Sequence, residues 1–264
     1  MKKASKAQLK KVRELLRDKK ARDESGLFAA EGRKIVKDMI AKGHPIDMVL
    51  VSSGCAGKED IGFLTEKVKA PVVCASGSDL EKISPLRNSQ GIVAVVKKPG
   101  GGISGLLEKK TALVALCDGV QDPGNLGAII RTASALGADA VILAGDAADP
   151  YNPKVVRSSS GMVMDIPVCP CGPADIEKMK LAGYRIFAGK IADDSEDISA
   201  IKELPPLAMI AFGSEGKGFS KEIAALSDKN FYIPLEKKAE SLNVTAAAAI
   251  SMYVFQKLKT RNAG

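Results

Sequence analysis

The stretch ALVALCDGVQDPGNLGAIIRTASALGADAVIL, residues 112–143, decides the fold of the second half of the chain. It begins with an uninterrupted apolar run at 112–117, which is typical of a strand buried on both faces. A turn-rich loop follows, then apolar residues at helical spacing over 126–136 and a second apolar run at 140–143. A strand, a helix and another strand in this order predict neighbouring parallel strands in one sheet.

The same alternation continues towards the C-terminus. It predicts an α/β domain whose parallel sheet is covered by helices on both faces. Ligands bind such sheets in the loops at the carboxyl ends of the strands, so we expect functional residues after positions 117, 188, 212 and 233. The further predicted strands are 166–169, 185–188, 207–212 and 231–233, and the helices are 152–158, 176–181, 221–226 and 244–257.

The first half alternates in the same way over shorter elements. The run KKPGGG at 97–102 then interrupts the pattern and is typical of a linker. We therefore predict a small N-terminal α/β domain at 1–98, a linker at 99–109 and a C-terminal domain at 110–264. The predicted strands of the first half are 27–31, 46–51, 71–74 and 91–96, and its helices are 5–22, 32–41 and 61–69.

Positive charge is concentrated at the N-terminus. The chain has 264 residues and a formal net charge of +8. Residues 1–22 contain ten Lys or Arg residues against Glu14 and Asp18, so this segment carries the whole excess. Such a segment attracts polyanions by releasing their counterions. The alternative is a solvated helix face that only aids solubility.

The composition excludes several classes of protein. His44 is the single histidine, which rules out a His-based catalytic triad and a multi-histidine metal site. No run of about 18 apolar residues is present, so we expect no membrane span. Tryptophan is absent, which disfavours a stacking platform for single-stranded nucleic acid. The five cysteines have no CxxC spacing and indicate unreactive thiols in a reducing compartment, the cytoplasm: Cys55, Cys74, Cys117, Cys169 and Cys171.

Two loops of the second half carry polar residues next to predicted strands. In the loop after 117, Asn125 either caps the following helix or belongs to a site, and Arg131 is placed to meet a phosphate or carboxylate. The loop FGSEGKG at 212–218 has neither the P-loop nor the GxGxxG spacing, which disfavours a dehydrogenase. It is either a nucleotide-type loop or a tight turn in which Glu215 caps the next helix.

Two further segments have the same ambiguity. Ser241 and Asn243 open the last helix, where they either cap it or bind a ligand. Lys154 and Arg157, in NPKVVRSSSG at 152–161, either grip a phosphate backbone or lie in solvent at a helix end.

Together these stretches resemble the three motifs of the SpoU (TrmH-type) branch of the SPOUT RNA methyltransferases. The matching sequences are PGNLGAIIRTA at 123–133, FGSEGKG at 212–218, and IPL at 233–235 through SLNVTA at 241–246. The likeness covers about residues 110–260. The front half, with Arg22, FAAEG at 28–32 and SQG at 89–91, is similar to the RNA-substrate-binding domain of many members.

The resemblance implies a fold and an activity. The catalytic domain is expected to thread a deep trefoil knot, to form a homodimer and to bind S-adenosyl-L-methionine without a metal. The expected reaction is methyl transfer to a ribose 2′-hydroxyl of structured RNA, leaving S-adenosyl-L-homocysteine. The front domain favours ribosomal RNA; a tRNA ribose 2′-O-methyltransferase and a catalytically inactive RNA-binding protein are the alternatives.

The resemblance also implies roles for individual residues. Arg131 is the expected catalytic residue, and because a guanidinium is a poor proton acceptor it would stabilise the alkoxide rather than act as a base. Asn125 would orient the substrate or Arg131, and the remaining catalytic residues would shape the pocket: Glu215, Ser241 and Asn243. The expected cofactor contacts are Gly189, Gly213, Ile233 and Leu242, and the expected RNA contacts are Lys10, Lys11, Arg22, Lys154 and Arg157.

Overall fold

A computed structural model describes residues 1–52, 57–86, 88–236 and 241–262. The chain forms two units. The first consists of Met1–Pro99 together with Tyr151–Met164, and the second of Gly100–Pro150 together with Asp165–Gly264.

The first unit is built on a five-stranded mixed sheet with the strand order β1-β4-β3-β5-β2. β1 pairs with β4 and β4 with β3 in parallel, whereas β5 runs antiparallel to both β3 and β2. The elements in chain order are β1 Lys2–Lys3, α1 Lys6–Arg17, α2 Lys19–Ser25, β2 Leu27–Glu31, α3 Arg33–Ala41, β3 Ile46–Ser52, α4 Lys58–Lys67, β4 Val72–Ala75, α5 Gly77–Ile83 and β5 Ile92–Lys97.

The basic N-terminal segment forms two helices, so the prediction of one helix over 5–22 is wrong. The chain breaks at Asp18, whose side chain accepts a hydrogen bond from the Lys20 amide and so caps α2. Val12 and Leu15 are buried in the core of the first unit. The Arg22 side chain is buried as well, and its Nη1 donates to the Leu15 carbonyl over 2.8 Å.

The second unit is built on a seven-stranded sheet with the strand order β10-β12-β9-β11-β6-β7-β8, and every neighbouring pair is parallel. The α/β fold class and the parallel C-terminal sheet are therefore confirmed, while the knot stays a prediction. The remaining elements in chain order, all in the second unit except α8, are α6 Ser104–Leu107, β6 Ala112–Asp118, α7 Pro123–Ala135, β7 Ala140–Ala144, α8 Pro153–Ser158, β8 Val168–Pro170, α9 Pro173–Leu181, β9 Arg185–Gly189, β10 Ser195–Asp197, β11 Leu207–Gly213, α10 Lys221–Leu226, β12 Lys229–Tyr232 and α11 Val244–Asn262.

α6 lies within the predicted linker and contributes to the core of the second unit. Ile103 and Leu106 are buried there. The Tyr184 hydroxyl donates to the Leu106 carbonyl over 2.9 Å. The boundaries at 98 and 109 stay predictions, although this packing ties part of 99–109 to the second unit.

α8 packs within the first unit, although it follows β7 in the chain. The Tyr151 and Phe28 rings lie with centroids 5.0 Å apart. Gly161 has φ +81°, and a Cβ there would come within 3.1 Å of the Ile35 side chain. Glycine therefore permits both the turn after α8 and the close approach to α3.

The described cysteines are free thiols. Cys117 and Cys169 are buried, Cys74 and Cys171 are half-buried, and Cys55 lies outside the described residues. Burial raises the pKa of Cys117 to about 12, so this thiol stays protonated. Over the described part of the chain, no helix has the length and apolar character that a membrane span needs.

Candidate functional site

Four parallel strands of the second unit end at one edge of the sheet. β12, β9, β11 and β6 are neighbours in that order. Their last residues are Tyr232, Gly189, Gly213 and Asp118. The loops that follow them carry the predicted site residues, as expected for ligand binding at the carboxyl ends of parallel strands.

Asn125 lies in the first turn of α7 but does not cap it. The cap is Asp122, whose side chain accepts a hydrogen bond from the Asn125 backbone amide over 2.9 Å. The capping interpretation of Asn125 is therefore wrong. Its side-chain amide donates instead to Oε1 of Glu215 over 2.7 Å.

Asn243 combines both roles that the sequence left open. Its Oδ1 accepts a hydrogen bond from the Thr245 amide over 2.9 Å and so caps the first turn of α11. Its Nδ2 donates to the same Glu215 oxygen over 2.9 Å. Glu215 thus connects the start of α7, the loop after β11 and the start of α11.

The loop after β11 is a tight turn that requires glycine. Ser214 and Gly218 exchange two backbone hydrogen bonds of 2.9 and 2.8 Å. A Cβ on Gly213 would lie 2.7 Å from the Gly218 carbonyl carbon, closer than any side chain allows. The next helix, α10, is capped by Ser220, so Glu215 does not cap it.

Asp118 is a structural residue of this site that the sequence analysis missed. It is buried at the end of β6, and its Oδ2 accepts a hydrogen bond from the Ser220 amide over 2.6 Å. This bond fixes the end of the glycine loop to the neighbouring strand. A polar residue directly after an apolar strand, at the edge where ligands bind, was the available signal.

A cavity of about 480 Å³ opens beside these loops. All four predicted cofactor contacts line it, together with three of the predicted catalytic residues. They are Gly189, Gly213, Ile233, Leu242, Glu215, Ser241 and Asn243. Aromatic and aliphatic side chains line the cavity as well, among them Phe212, Phe231 and Leu235.

Arg131 is not among the residues that line this cavity. It lies on α7 with an exposed side chain. Its guanidinium forms no hydrogen bond or ion pair with the described residues, so it is available to a substrate group. Asn125, on the same helix, reaches the cavity wall through Glu215.

The predicted RNA contacts of the first unit differ in exposure. Lys10 is exposed, and Lys11 pairs with Asp47 over 3.1 Å. Lys154 is exposed, whereas Arg157 is half-buried, which lowers its pKa. The buried position of Arg22 suits support of α1 rather than direct contact with RNA.

Comparisons with known proteins assign the chain to a family. Residues 112–253 match the model described as the SpoU rRNA Methylase family, and residues 6–94 match that of the MRM3-like substrate binding domain. The chain belongs to the SpoU rRNA Methylase family. The predicted SpoU-type RNA methyltransferase with an N-terminal substrate-binding domain is thereby confirmed.

Individual family members resemble the chain over nearly its whole length. The 23S rRNA (guanosine(2553)-2′-O)-methyltransferase RlmP of Bacillus subtilis is 32% identical over 96% of this chain and 98% of its own. An AdoMet-bound rRNA methyltransferase from Sinorhizobium meliloti has a TM-score of 0.83 at 27% identity, covering 97% of both chains. The SpoU methyltransferase AviRb from Streptomyces viridochromogenes, in complex with AdoMet, has a TM-score of 0.86 at 26% identity, covering 98% of this chain and all of its own.

A metal centre has no support in the described residues. Among them, no group of three or more His, Cys, Asp or Glu side chains could hold a metal ion. The polar residues that line the cavity supply amide, hydroxyl, ammonium and carboxylate groups, the last two from Lys190 and Glu215, and this mixture suits an organic ligand.

Proposed function

We propose that this SpoU family protein transfers a methyl group from S-adenosyl-L-methionine to a ribose 2′-hydroxyl of ribosomal RNA. The observation that carries the proposal is the convergence of three motif loops on Glu215 beside a cavity of about 480 Å³. The similarity to RlmP of Bacillus subtilis, whose name gives 23S rRNA as its substrate, supports ribosomal RNA over tRNA.

The cavity fits S-adenosyl-L-methionine in size and chemistry. Its volume falls within the range of about 300–1,000 Å³ that is usual for small-molecule sites. Phe231 and Leu242 offer apolar surface to adenine, while the backbones of Gly213 and Ile233 offer hydrogen-bonding groups. When bound, the cofactor supplies a methyl group on a positively charged sulfur, which leaves as a neutral thioether.

Arg131 is the proposed catalytic residue. A guanidinium keeps its proton at neutral pH, so it is a poor base but a strong hydrogen-bond donor. Placed at the reacting ribose, it favours the oxyanion that develops as the 2′-hydroxyl loses its proton to water. It also suits a bidentate contact with the neighbouring phosphate, which orients the ribose for in-line attack.

Glu215 is a positioning residue in this scheme. Two amide donors on one carboxylate oxygen fix the loop after β11 against the first turns of α7 and α11. Ser241 and Asn243 line the cavity beside it. The arrangement holds the cofactor pocket and the Arg131 helix in one geometry before substrate arrives, which is the main requirement of a displacement reaction.

The first unit is proposed to hold the RNA. Lys10 and Lys11 on α1, and Lys154 and Arg157 in the segment 151–164, supply positive charge for phosphates. Arg22 contributes indirectly, because its buried side chain donates a hydrogen bond to the Leu15 carbonyl and so supports α1. The exposed basic side chains of α1 and α2 contribute the largest share of this positive charge.

A homodimer through α11 is also proposed. Ile250 and Tyr253 are exposed apolar residues on this helix, 41% and 55% accessible. Their spacing of three places them on one helical face, which a second copy of the chain would cover. The cytoplasm is the proposed location, because free thiols such as the described cysteines are typical of a reducing compartment.

Methyl transfer to purified RNA tests the activity. Protein and tritiated S-adenosyl-L-methionine are incubated with 23S rRNA or total tRNA, and 2′-O-methyl groups are then mapped. Labelled ribose in 23S rRNA is the expected result. Label in tRNA alone would identify tRNA as the substrate. RNA binding without affinity for the cofactor would identify an inactive RNA-binding protein.

A further inference from the structure

Ser251 is a buried residue that lines the cavity and carries a buried hydroxyl. It lies on α11 with 1% of its surface exposed. Its Oγ has no hydrogen-bond partner among the described residues. The residue nevertheless lines the cavity, where it shares one face of α11 with Val244 and Ala247.

Several other helical hydroxyls among the described residues donate to carbonyls of their own helix. Thr65 donates to the Ile61 carbonyl over 2.9 Å, and Ser158 donates to the Lys154 carbonyl over 2.7 Å. Ser251 makes no such bond. A buried polar group without a partner is destabilising, so its presence at a cavity wall points to a partner that binds there.

The residues one turn before and after Ser251 on α11, Ala247 and Phe255, are apolar. Phe255 follows it by one turn of α11, and its ring lies 5.4 Å from that of Phe231, which also lines the cavity. The charged ammonium and carboxylate of a methionine group would be costly in such surroundings. A neutral aromatic base is suited to them, and it needs hydrogen bonds at its edge.

We propose that the Ser251 hydroxyl hydrogen-bonds the adenine edge of the bound cofactor and so contributes to cofactor specificity. A hydroxyl both donates and accepts. The adenine edge presents ring nitrogens as acceptors and an amino group as donor. The inference rests on the proposed cofactor site and adds a side-chain contact to it.

Calorimetric titration of the full-length protein with S-adenosyl-L-homocysteine tests the inference. Ser251→Ala is expected to raise Kd about tenfold, as expected for the loss of one hydrogen bond. Ser251→Cys, a near-isosteric and weaker hydrogen-bonding replacement, is expected to lie between the two. The matched control is Thr260→Ala, because Thr260 lies on the same helix, does not line the cavity and bonds to the Gln256 carbonyl. Its Kd should equal that of the unsubstituted protein.

Two further readouts separate this role from a structural one. The thermal midpoint of unliganded Ser251→Ala should be unchanged or higher, because the substitution removes an unsatisfied group. Analogues of S-adenosyl-L-homocysteine with one adenine ring nitrogen replaced by carbon, or with a methylated adenine amino group, identify the contacted atom. The analogue that lacks this atom should bind the variant and the unsubstituted protein equally.

The outcomes distinguish the inference from the proposed function. Equal affinity of Ser251→Ala and the unsubstituted protein for S-adenosyl-L-homocysteine overturns the Ser251 contact alone. A tenfold loss that is the same for every analogue overturns the adenine assignment. Failure of the unsubstituted protein to bind the ligand overturns the proposed function, and the Ser251 contact with it.

Discussion

The side-chain amide of Asn125 donates to Oε1 of Glu215 over 2.7 Å, although the two residues are 90 positions apart in the chain. Asn243, 28 positions beyond Glu215, donates to the same oxygen. One acceptor therefore fixes the relative positions of three loops. Residues joined in this way respond to substitution as a unit, so their effects should not add.

Replacement of Glu215 by alanine should uncouple these loops. Because both amides lose their acceptor, we expect methyl transfer to fall about a hundredfold, comparable to the loss of one positioned polar group. Glu215→Gln keeps an acceptor oxygen and should retain most of the activity. Single-turnover rates measure the effect, and adding Asn125→Ala to Glu215→Ala should cost little more. Glu222→Ala, an exposed residue of α10, is the control.

Replacement of Arg131 should affect chemistry and leave the cofactor site intact. Because Arg131 does not line the cavity, Arg131→Ala should keep the Kd for S-adenosyl-L-homocysteine while methyl transfer falls by about a hundredfold to a thousandfold. Arg131→Lys keeps the charge without the planar fork and should be intermediate. Calorimetry and single-turnover methylation separate the two effects. An equal loss of cofactor affinity would assign Arg131 to cofactor binding instead.

The basic helices of the first unit should determine the salt dependence of RNA binding. Deleting residues 1–22 is unsuitable as a test, because Val12 and Leu15 are buried in the core. Replacing the exposed Lys10 and Lys20 with alanine should weaken binding to 23S rRNA. The slope of log K against log salt concentration should flatten by about one for each RNA phosphate that the variant no longer neutralises. Lys178→Ala, on α9 of the second unit, is the control, and an unchanged slope would show that Lys10 and Lys20 do not contact RNA phosphates.

Charge on the exposed face of α11 should prevent dimer formation. Ile250→Asp and Tyr253→Asp place carboxylates where a partner would bury apolar surface. Analytical ultracentrifugation should show the doubly substituted protein as a monomer at concentrations where the unsubstituted protein is a dimer. Leu181→Asp is the control. Leu181 lies on α9 and is 88% accessible, more than Ile250 or Tyr253, and its replacement should leave the dimer unchanged. A monomeric unsubstituted protein would contradict the proposed homodimer.

Asp139 should make stability depend on acid pH. Burial acts to raise the pKa of Asp139, but hydrogen bonds from Lys109, Lys259 and the Leu113 amide hold it below its ordinary value. The Asp139 carboxylate therefore contributes to the free energy of unfolding in full above its pKa in the unfolded chain, about 3.9. This contribution is lost as the pH falls through its lower pKa in the folded protein. Asp139→Asn should lower the free energy of unfolding by about 1–3 kcal/mol at pH 7.

Urea denaturation at several pH values measures this effect. The difference between Asp139→Asn and the unsubstituted protein should shrink as the pH falls below about 4. Asp38→Asn removes an exposed partner of Lys34 on α3 and should change stability by less than about 1 kcal/mol. A difference that is constant down to low pH would contradict the role of the Asp139 charge.

The sequence alone determined the layout of the second unit. The apolar runs at 112–117, 140–143, 185–188 and 207–212 all lie in strands of the parallel sheet. Hydrophobic periodicity is a local property, so these strands and the helices between them follow from nearby residues. The three motifs also followed from the sequence, because each is a short stretch of characteristic residue types.

Short polar elements were beyond local prediction. β1 at Lys2–Lys3 and β10 at Ser195–Asp197 have no apolar pattern of their own. They are strands because β4 and β12 supply hydrogen-bonding partners at the edges of the two sheets. The break between α1 and α2 at Asp18 was missed for a related reason. The apolar spacing continues past Asp18 and so predicts one helix, but the Asp18 side chain caps a second helix and interrupts the first.

Only the tertiary structure decided what the polar residues of the site do. Asparagine is a residue type that often caps helices, yet Asp122 occupies the cap position of α7. The side-chain amide of Asn125 donates to Glu215 instead. In the sequence Ser251 is one residue of an alanine-rich helix, and only the packing shows that its hydroxyl is buried and that the residue lines a cavity. These roles depend on hydrogen bonds and burial between segments far apart in the chain, which periodicity and local propensity do not encode.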